Sequence, residues 1–417
     1  MSRSLEVLIN DDHVATLSEQ NEVWQLTYTP DWRMRADAFD LAPSLPRSKG
    51  VILDGASERP VQWFFDNLLP EEQARQLLAN DAKIVATDNF GLLAYYGAES
   101  AGAVTLLPDA TQPLATGMKP LPDDVLSQRI RNLPRVALAT GAPKRMSLAG
   151  AQHKLPVVIK EGKLFEPEGN TISTHILKPD NETGFYSHSV ANEWFVMSLA
   201  RIAGLNVPDV EIRRVPEPVY LIERFDRRIR DDEVERVHML DGCQILGISS
   251  HFKYQQATME TMRKLIELVR TKAVTRIRLY KWLVFNLLVG NDDSHLKNLS
   301  FEVRPDGFEL APHYDLVCTS VYGAEPTPWL SSLLTWPLEG LRTHDDLTFE
   351  ATLNMGAHLG LTARQSTRLL EEVIEPVMAE GPNLLKECQP QMSAGECRQT
   401  RIIWHGVIKD MHARLTR

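Results

Sequence analysis

The stretch Ile277-Arg-Leu-Tyr-Lys-Trp-Leu-Val-Phe-Asn-Leu-Leu-Val289, followed by Gly290-Asn-Asp-Asp-Ser-His-Leu-Lys-Asn298, decides how the chain is read. Ile277, Tyr280, Val284, Leu287 and Leu288 recur at helical spacing. Trp282, Leu283 and Phe285 fall on the other faces, so the spacing predicts a helix buried all round. Gly290 suits the position just past a helix C-terminus, and the composition then turns abruptly polar. A hairpin follows: Leu299 to Val303, a turn at Pro305-Asp306-Gly307, and Phe308 to Ala311. It leads into His313-Tyr314-Asp315. A polar loop set between a buried helix and a hairpin, with a second acid at the hairpin's exit, has the arrangement of a reactive site.

The spacing suggests which chemistry. Protein kinases place a catalytic Asp five residues before an Asn that holds Mg²⁺, and a further metal-holding Asp on a strand soon after. Asp293 and Asn298 have that spacing, and Asp315 follows one hairpin later. Mg²⁺ takes oxygen ligands and draws few of them from protein, so Asn298 and Asp315 suffice. Asp293 is then free to accept a hydroxyl proton. The competing reading is a solvated acidic loop with Asp315 as a cap.

Composition sets the outer limits. At 417 residues and 43% hydrophobic, the chain is long enough for two or three domains with a sizeable core. Its 45 Lys+Arg against 55 Asp+Glu give a net charge of −10, which argues against a nucleic-acid-binding surface over the whole chain. Cys243, Cys318, Cys388 and Cys397 are scattered and form no C-x-x-C, as expected of reduced thiols. Met1 to Ser4 lead directly into strand-like sequence with no signal-peptide core, and no apolar run reaches the ~20 residues that span a bilayer. A cytoplasmic protein with no membrane contact is expected.

Outward from the central stretch, the fold class reads as α+β: a small N-terminal α/β domain, then a bilobal protein-kinase-like fold whose C-terminal lobe is mostly helical. Pro108 to Pro122, rich in Pro, Thr and Asp, reads as a linker, and boundaries are placed at 1–118 for the N-terminal subdomain, 119–145 for the linker, 146–228 for the small lobe and 229–417 for the large lobe. Leu5 to Ile9, His13 to Leu17 and Val23 to Tyr28 alternate as strands, and Val61 to Leu69 reads as a helix stopped by Pro70. In the small lobe, Ser147 to Lys154 precedes the hairpin Leu155–Ile159/Lys163–Phe165, where a phosphate-covering loop belongs; with one glycine, it reads equally as a plain turn. Lys178 ends a short strand and suits an ATP lysine, with Glu193 on the next helix as its ion-pair partner; singly, each also reads as an ordinary surface residue. Glu223 to Arg227 reads as a hinge.

The ordered segments Ser147-Leu-Ala-Gly-Ala-Gln-His-Lys154, Thr174-His-Ile-Leu-Lys178, Asn192-Glu193, Glu223-Arg-Phe-Asp226, Gly290 to Asn298 and Pro312-His-Tyr-Asp315 resemble the HipA family of bacterial serine/threonine kinase toxins. Residues 1 to about 100, with Phe64-Phe-Asp-Asn-Leu-Leu-Pro70, resemble that family's N-terminal domain. The resemblance implies Asp293 as catalytic base, with Lys178 and His295 beside the transferring phosphate. It implies Asn298 and Asp315 as Mg²⁺ ligands, Glu193 as supporting ion pair and Ser147 as a self-phosphorylated serine. It places ATP among Gly150, Ala151, Gln152, Lys154, Lys178, Glu223, Phe225, His295, Lys297 and Tyr314. A phosphate on Ser147 would exclude ATP from the loop, with Lys144 and Arg145 available to hold it.

By the same resemblance, the partners are a HipB-like antitoxin, operator DNA reached only through that antitoxin, and an aminoacyl-tRNA synthetase as target, the glutamyl enzyme first. Blocked tRNA charging would arrest growth and favour persistence. His153 departs from the acidic residue expected in the loop. Two other functions compete: a small-molecule or lipid kinase, since Asp293 to Asn298 also resembles the D-R-H-x-x-N of lipid kinases, and a catalytically silent co-repressor that docks on HipB.

Overall fold

Alternation builds the first sheet. Leu5, Val7 and Ile9 point inward on the strand Arg3–Ile9, and the turn after it carries Asn10 at φ 53°, a conformation that Asn tolerates better than most side chains. A computed structural model of the protein describes residues 2–108, 116–144, 146, 148–180, 186–230, 233–323 and 329–416. The first sheet is five-stranded and antiparallel, in the order Val51–Leu53, Val23–Tyr28, Asp12–Gln20, Arg3–Ile9, Val104–Leu107. Helices Pro60–Asp66, Glu72–Ala82 and Asn89–Tyr96 intervene before its last strand. Pro60 opens the first of these, where its missing N–H costs nothing.

The chain divides into two compact units: residues 1–182, 213–252 and 301–308, and residues 183–212, 253–300 and 309–417. The first unit holds the five-stranded sheet and most of a six-stranded one ordered Val210–Arg214, Pro218–Glu223, His175–Pro179, Leu155–Lys160, Lys163–Gly169, Thr116–Pro120. Its register sets Leu155 against Leu177 and Tyr220 against Lys178.

Residues 119–145, expected as a linker, are folded where they are described. They complete the edge strand through Pro120 and form helix Asp123–Arg131. Leu121, Leu126, Ile130, Leu133 and Leu138 pack with Leu155, Val157, Leu177 and Leu221 in one apolar core. The Pro and Asp content that suggested a linker marks the helix start instead, where acidic residues favour the N-terminal end of the helix dipole.

The second unit is mainly helical. The central helix runs Lys272–Val289, starting earlier than the apolar spacing indicates. Ile277 is 37% exposed, so the burial expected all round holds only further along, where Trp282 to Val289 are buried. The unit's other helices include Ser189–Ile202, Met259–Leu268, Phe349–His358, Ala363–Cys388, Ala394–Ile402 and Lys409–Leu415. Helix Ala363–Cys388 passes through Pro376 and Pro382. An interior proline costs ~3 kcal/mol or more, and the buried stripe Val373, Ile374, Val377, Leu385 offsets it. Gly381 on that stripe admits Trp404, whose ring would lie 2.2 Å from an added Cβ. All four cysteines are free thiols, and among the described residues no helix is long and apolar enough to cross a membrane.

Candidate active site

The site grows from the end of the central helix. Gly290 takes the left-handed conformation (φ 63°, ψ 48°) that turns the chain out of the helix. A Cβ there would also meet Ser320 Oγ at 2.7 Å and Val407 Cγ1 at 2.8 Å. From the last turns of the helix, a relay of buried amides reaches the loop. Asn286 Nδ2 donates to the Trp282 carbonyl (2.7 Å), Asn291 Nδ2 donates to Asn286 Oδ1 (2.7 Å), and the Asp293 N–H donates to Asn291 Oδ1 (3.1 Å). Buried amides so satisfied fix a loop as firmly as secondary structure does.

Three residues remote in sequence hold the other side. The Asp292 N–H donates to Thr319 Oγ1 (2.8 Å), Thr335 Oγ1 donates to the Asp292 carbonyl (2.5 Å), and Trp336 Nε1 donates to the Ser294 carbonyl (2.7 Å). The Asp293 carbonyl accepts from the His295 N–H (2.8 Å) and from Asn298 Nδ2 (2.8 Å). The five-residue spacing is thereby a physical contact: Asn298 closes the loop that presents Asp293.

The donor set for a metal follows from the same contact. The Asn298 amide nitrogen is committed to the Asp293 carbonyl, which leaves its amide oxygen as the side-chain atom able to ligate a metal. Asp315 stands at φ 57°, a conformation uncommon for a non-glycine residue and frequent at functional sites. One amide oxygen and one carboxylate are hard oxygen donors of the kind Mg²⁺ uses, with its remaining ligands drawn from phosphate and water. Among the described residues, no group of three or more His, Cys, Asp and Glu could hold a metal.

The approach to Asp315 is braced as well. Arg278 donates to the Leu310 and Ala311 carbonyls (2.7 and 2.6 Å), and His313 is buried against the Trp282 ring. Tyr314 Oη donates to the Lys297 carbonyl (2.7 Å), which ties the segment before Asp315 to the loop that ends at Asn298.

Charge distinguishes Asp293 from its neighbours. Desolvation pushes its carboxyl up to about 6, helped by the negative charges of Asp315 and Asp292, while the Tyr254 hydroxyl and Lys253 oppose the rise. The group nevertheless keeps 46% of its side-chain surface open to solvent. A carboxylate that is exposed to an incoming group yet protonates near neutrality has the properties of a general base. His295 Nε2 lies 3.9 Å from Asp293 Oδ1, and Tyr254 donates its hydroxyl to that same oxygen. Tyr254 carried no sequence signal, being 39 residues from the acid it touches.

The remaining expected residues lie in both units. Lys178 is buried on strand His175–Pro179 and Glu193 is buried on helix Ser189–Ile202; the two belong to different units. In the loop expected over the phosphates, the Gly150 carbonyl accepts from the Glu71 N–H (3.2 Å) and Lys154 Nζ donates to the Ala149 carbonyl (2.9 Å). Ala151 is exposed, Gln152 half-buried, and burial lowers the His153 imidazole. Ser147 and Arg145 lie outside the described residues.

Lys144 is not available to a phosphate. It is buried, with Nζ 2.7 Å from Glu99. Glu99 is the hub of an ion cluster that also takes Arg227 (3.1 Å) and Arg224 (3.2 Å), and these cations hold its carboxyl low despite complete burial. The cluster anchors the expected hinge: Arg224, Asp226 and Arg227 turn into it, while Glu223 stays exposed and Phe225 half-buried.

Comparison with known proteins places the chain among relatives of known sequence and structure. Residues 146–380 match the HipA-like C-terminal domain, and residues 5–107 match the HipA N-terminal domain. The putative kinase Y4mE of Sinorhizobium fredii is 34% identical over 369 residues, covering 84% of this chain and 85% of that one. The serine/threonine-protein kinase toxin HipA of Shewanella oneidensis is 31% identical over 341 residues, covering 76% of each chain. A solved structure of HipA from Shewanella oneidensis, in complex with HipB and operator DNA, superposes with a TM-score of 0.81 at 25% identity, covering 99% of this chain and 97% of that one. The expected fold class is borne out by that match.

Proposed function

We propose a function from the premise that the chain belongs to the HipA family: it is an Mg-ATP-dependent serine/threonine protein kinase that acts as the toxin of a toxin–antitoxin pair. One observation carries the reading. Asp293 sits on a loop closed by Asn298, open to an acceptor on one side and under the field of Asp315 on the other. Phosphoryl transfer asks a protein mainly for positioning and charge stabilisation, and this loop supplies both.

In the proposed reaction, Asp293 orients a protein Ser or Thr hydroxyl and takes its proton. Asn298 and Asp315 hold Mg²⁺, which when bound offsets the charge of the ATP phosphates. Lys178, paired with Glu193, binds those phosphates, and His295 stands beside Asp293. Gly150 to Lys154 cover the nucleotide, with Glu223 and Phe225 at its base edge and Lys297 and Tyr314 behind the loop. A HipB-like antitoxin is the expected partner, because the related HipA was solved with HipB and operator DNA. Operator contact would run through that antitoxin. The target is an aminoacyl-tRNA synthetase, the glutamyl enzyme first, and phosphorylation of Ser147 switches the kinase off. The setting is the cytoplasm.

The test is incubation of the purified protein with radiolabelled ATP, Mg²⁺ and each purified synthetase in turn. A labelled synthetase band that Asp293→Asn removes is expected. Label found only on small molecules would replace this reading with a metabolite kinase, and no label with any acceptor would leave a binding protein.

A further inference from the structure

We propose that Tyr254 is a positioning residue that fixes the Asp293 carboxylate, occupying one of its oxygens so that the other alone meets the acceptor. The inference rests on the kinase reading for its chemistry and on contacts within the second unit for its geometry. Tyr254 donates its hydroxyl to Asp293 Oδ1. His295 Nε2 approaches the same oxygen, at 3.9 Å. No hydrogen bond from the described residues reaches Oδ2, although nearly half of the Asp293 side-chain surface is open to solvent. One oxygen is therefore held and the other faces outward.

The phenol is itself held. Its ring meets the His295 ring edge-on at 4.9 Å, and Lys253 Nζ lies 5.3 Å from its centroid. The Lys253 carbonyl accepts from the Leu296 N–H (3.3 Å), which ties the Tyr254 segment to the catalytic loop through backbone. A ring braced in this way brings the hydroxyl to a set point. A carboxylate attached by two freely turning bonds has no such constraint without it, since no other side chain among the described residues donates a hydrogen bond to it. Proton acceptance in line with transfer depends on that constraint, and misplacement by about an ångström costs ~10²-fold in rate.

Tyr254 is 49% exposed, so truncating it leaves the core intact. The test compares Tyr254→Phe, which keeps the ring and loses the hydroxyl, with Tyr254→Ala. If the hydroxyl positions the base, both lower kcat by about ten- to a hundredfold, with Mg-ATP affinity by calorimetry and the thermal midpoint unchanged. A Tyr254→Phe enzyme with wild-type kcat would overturn the proposal and leave ring packing as the residue's role.

A second readout does not depend on the reaction. Crystal structures of the wild type and Tyr254→Phe should show one Asp293 carboxylate orientation in the former and a displaced or split one in the latter. An unmoved carboxylate overturns the proposal too. If the wild-type protein transfers no phosphate at all, the kinase reading falls, while these structures still decide whether Tyr254 sets the carboxylate.

Discussion

Replacing Asp293 with Asn should remove catalysis and stabilise the protein, and the stabilisation should vanish in acid. The reason is the raised carboxyl. In the folded state it protonates at about 6 against an ordinary 3.8, so between these values the folded chain holds more proton than the unfolded chain. Stability therefore falls as pH climbs through that window, and the penalty is complete above about 6. Taken at face value, the gap is worth ~3 kcal/mol. With 46% of the side chain in water, screening reduces it, and ~1 kcal/mol is the better expectation.

The amide of the Asp293→Asn variant carries no charge, keeps an oxygen for the Tyr254 hydroxyl, and escapes the repulsion of Asp315 and Asp292. The variant's thermal midpoint, measured in weakly alkaline buffer, should stand about 1 °C above wild type. The advantage should shrink steadily as the pH is lowered through about 6 and on towards 4, as wild-type Asp293 gains its proton. Scanning calorimetry of both proteins across that range measures it. A variant less stable than wild type in weak alkali, or a difference that does not change with pH, would refute the assignment of Asp293 as a desolvated, charge-strained acid.

Other outcomes follow from the same geometry. Wild-type phosphotransfer should decline below about pH 6 as Asp293 takes up its proton, which a pH–rate profile at saturating Mg-ATP records. Asp315→Asn and Asn298→Ala should weaken Mg-ATP binding in calorimetric titration, whereas Asp293→Asn should bind it nearly as wild type does and lose ~10²–10⁴-fold in rate. Gly290→Ala should destabilise by more than ~1 kcal/mol in urea, because the left-handed backbone and the Ser320 and Val407 contacts both oppose a Cβ. Glu99→Gln strands buried Lys144, Arg224 and Arg227 without their shared anion, and should cost ~3–5 kcal/mol in the same assay.

The local elements of this protein were legible because short-range physics writes them plainly. Alternation marked the strands of the first sheet, and the helical recurrence of Tyr280, Val284, Leu287 and Leu288 with Gly290 behind it marked the central helix and its exit. The spacing of Asp293 and Asn298 suggested a base and a metal ligand, and the contact between the Asn298 amide and the Asp293 carbonyl came only with the structure. Where the sequence misled, burial outweighed local preference. Residues 119–145 read as a linker, continuing the Pro-, Thr- and Asp-rich run of Pro108 to Pro122, yet their leucines join a core supplied by strands that follow later in the chain. Ala363–Cys388 stays helical through two prolines because one apolar face is covered.

What no stretch of sequence contains is the set of neighbours that folding brings from afar. Thr319, Thr335 and Trp336 hold the loop that carries Asp293 across 27, 43 and 42 residues, Tyr254 holds its acid across 39, and Glu99 turns Lys144 from a free cation into a buried one. Desolvation and charge at Asp293 depend on those neighbours, so the chain by itself named the acid, and only the tertiary structure set the pH at which that acid is charged.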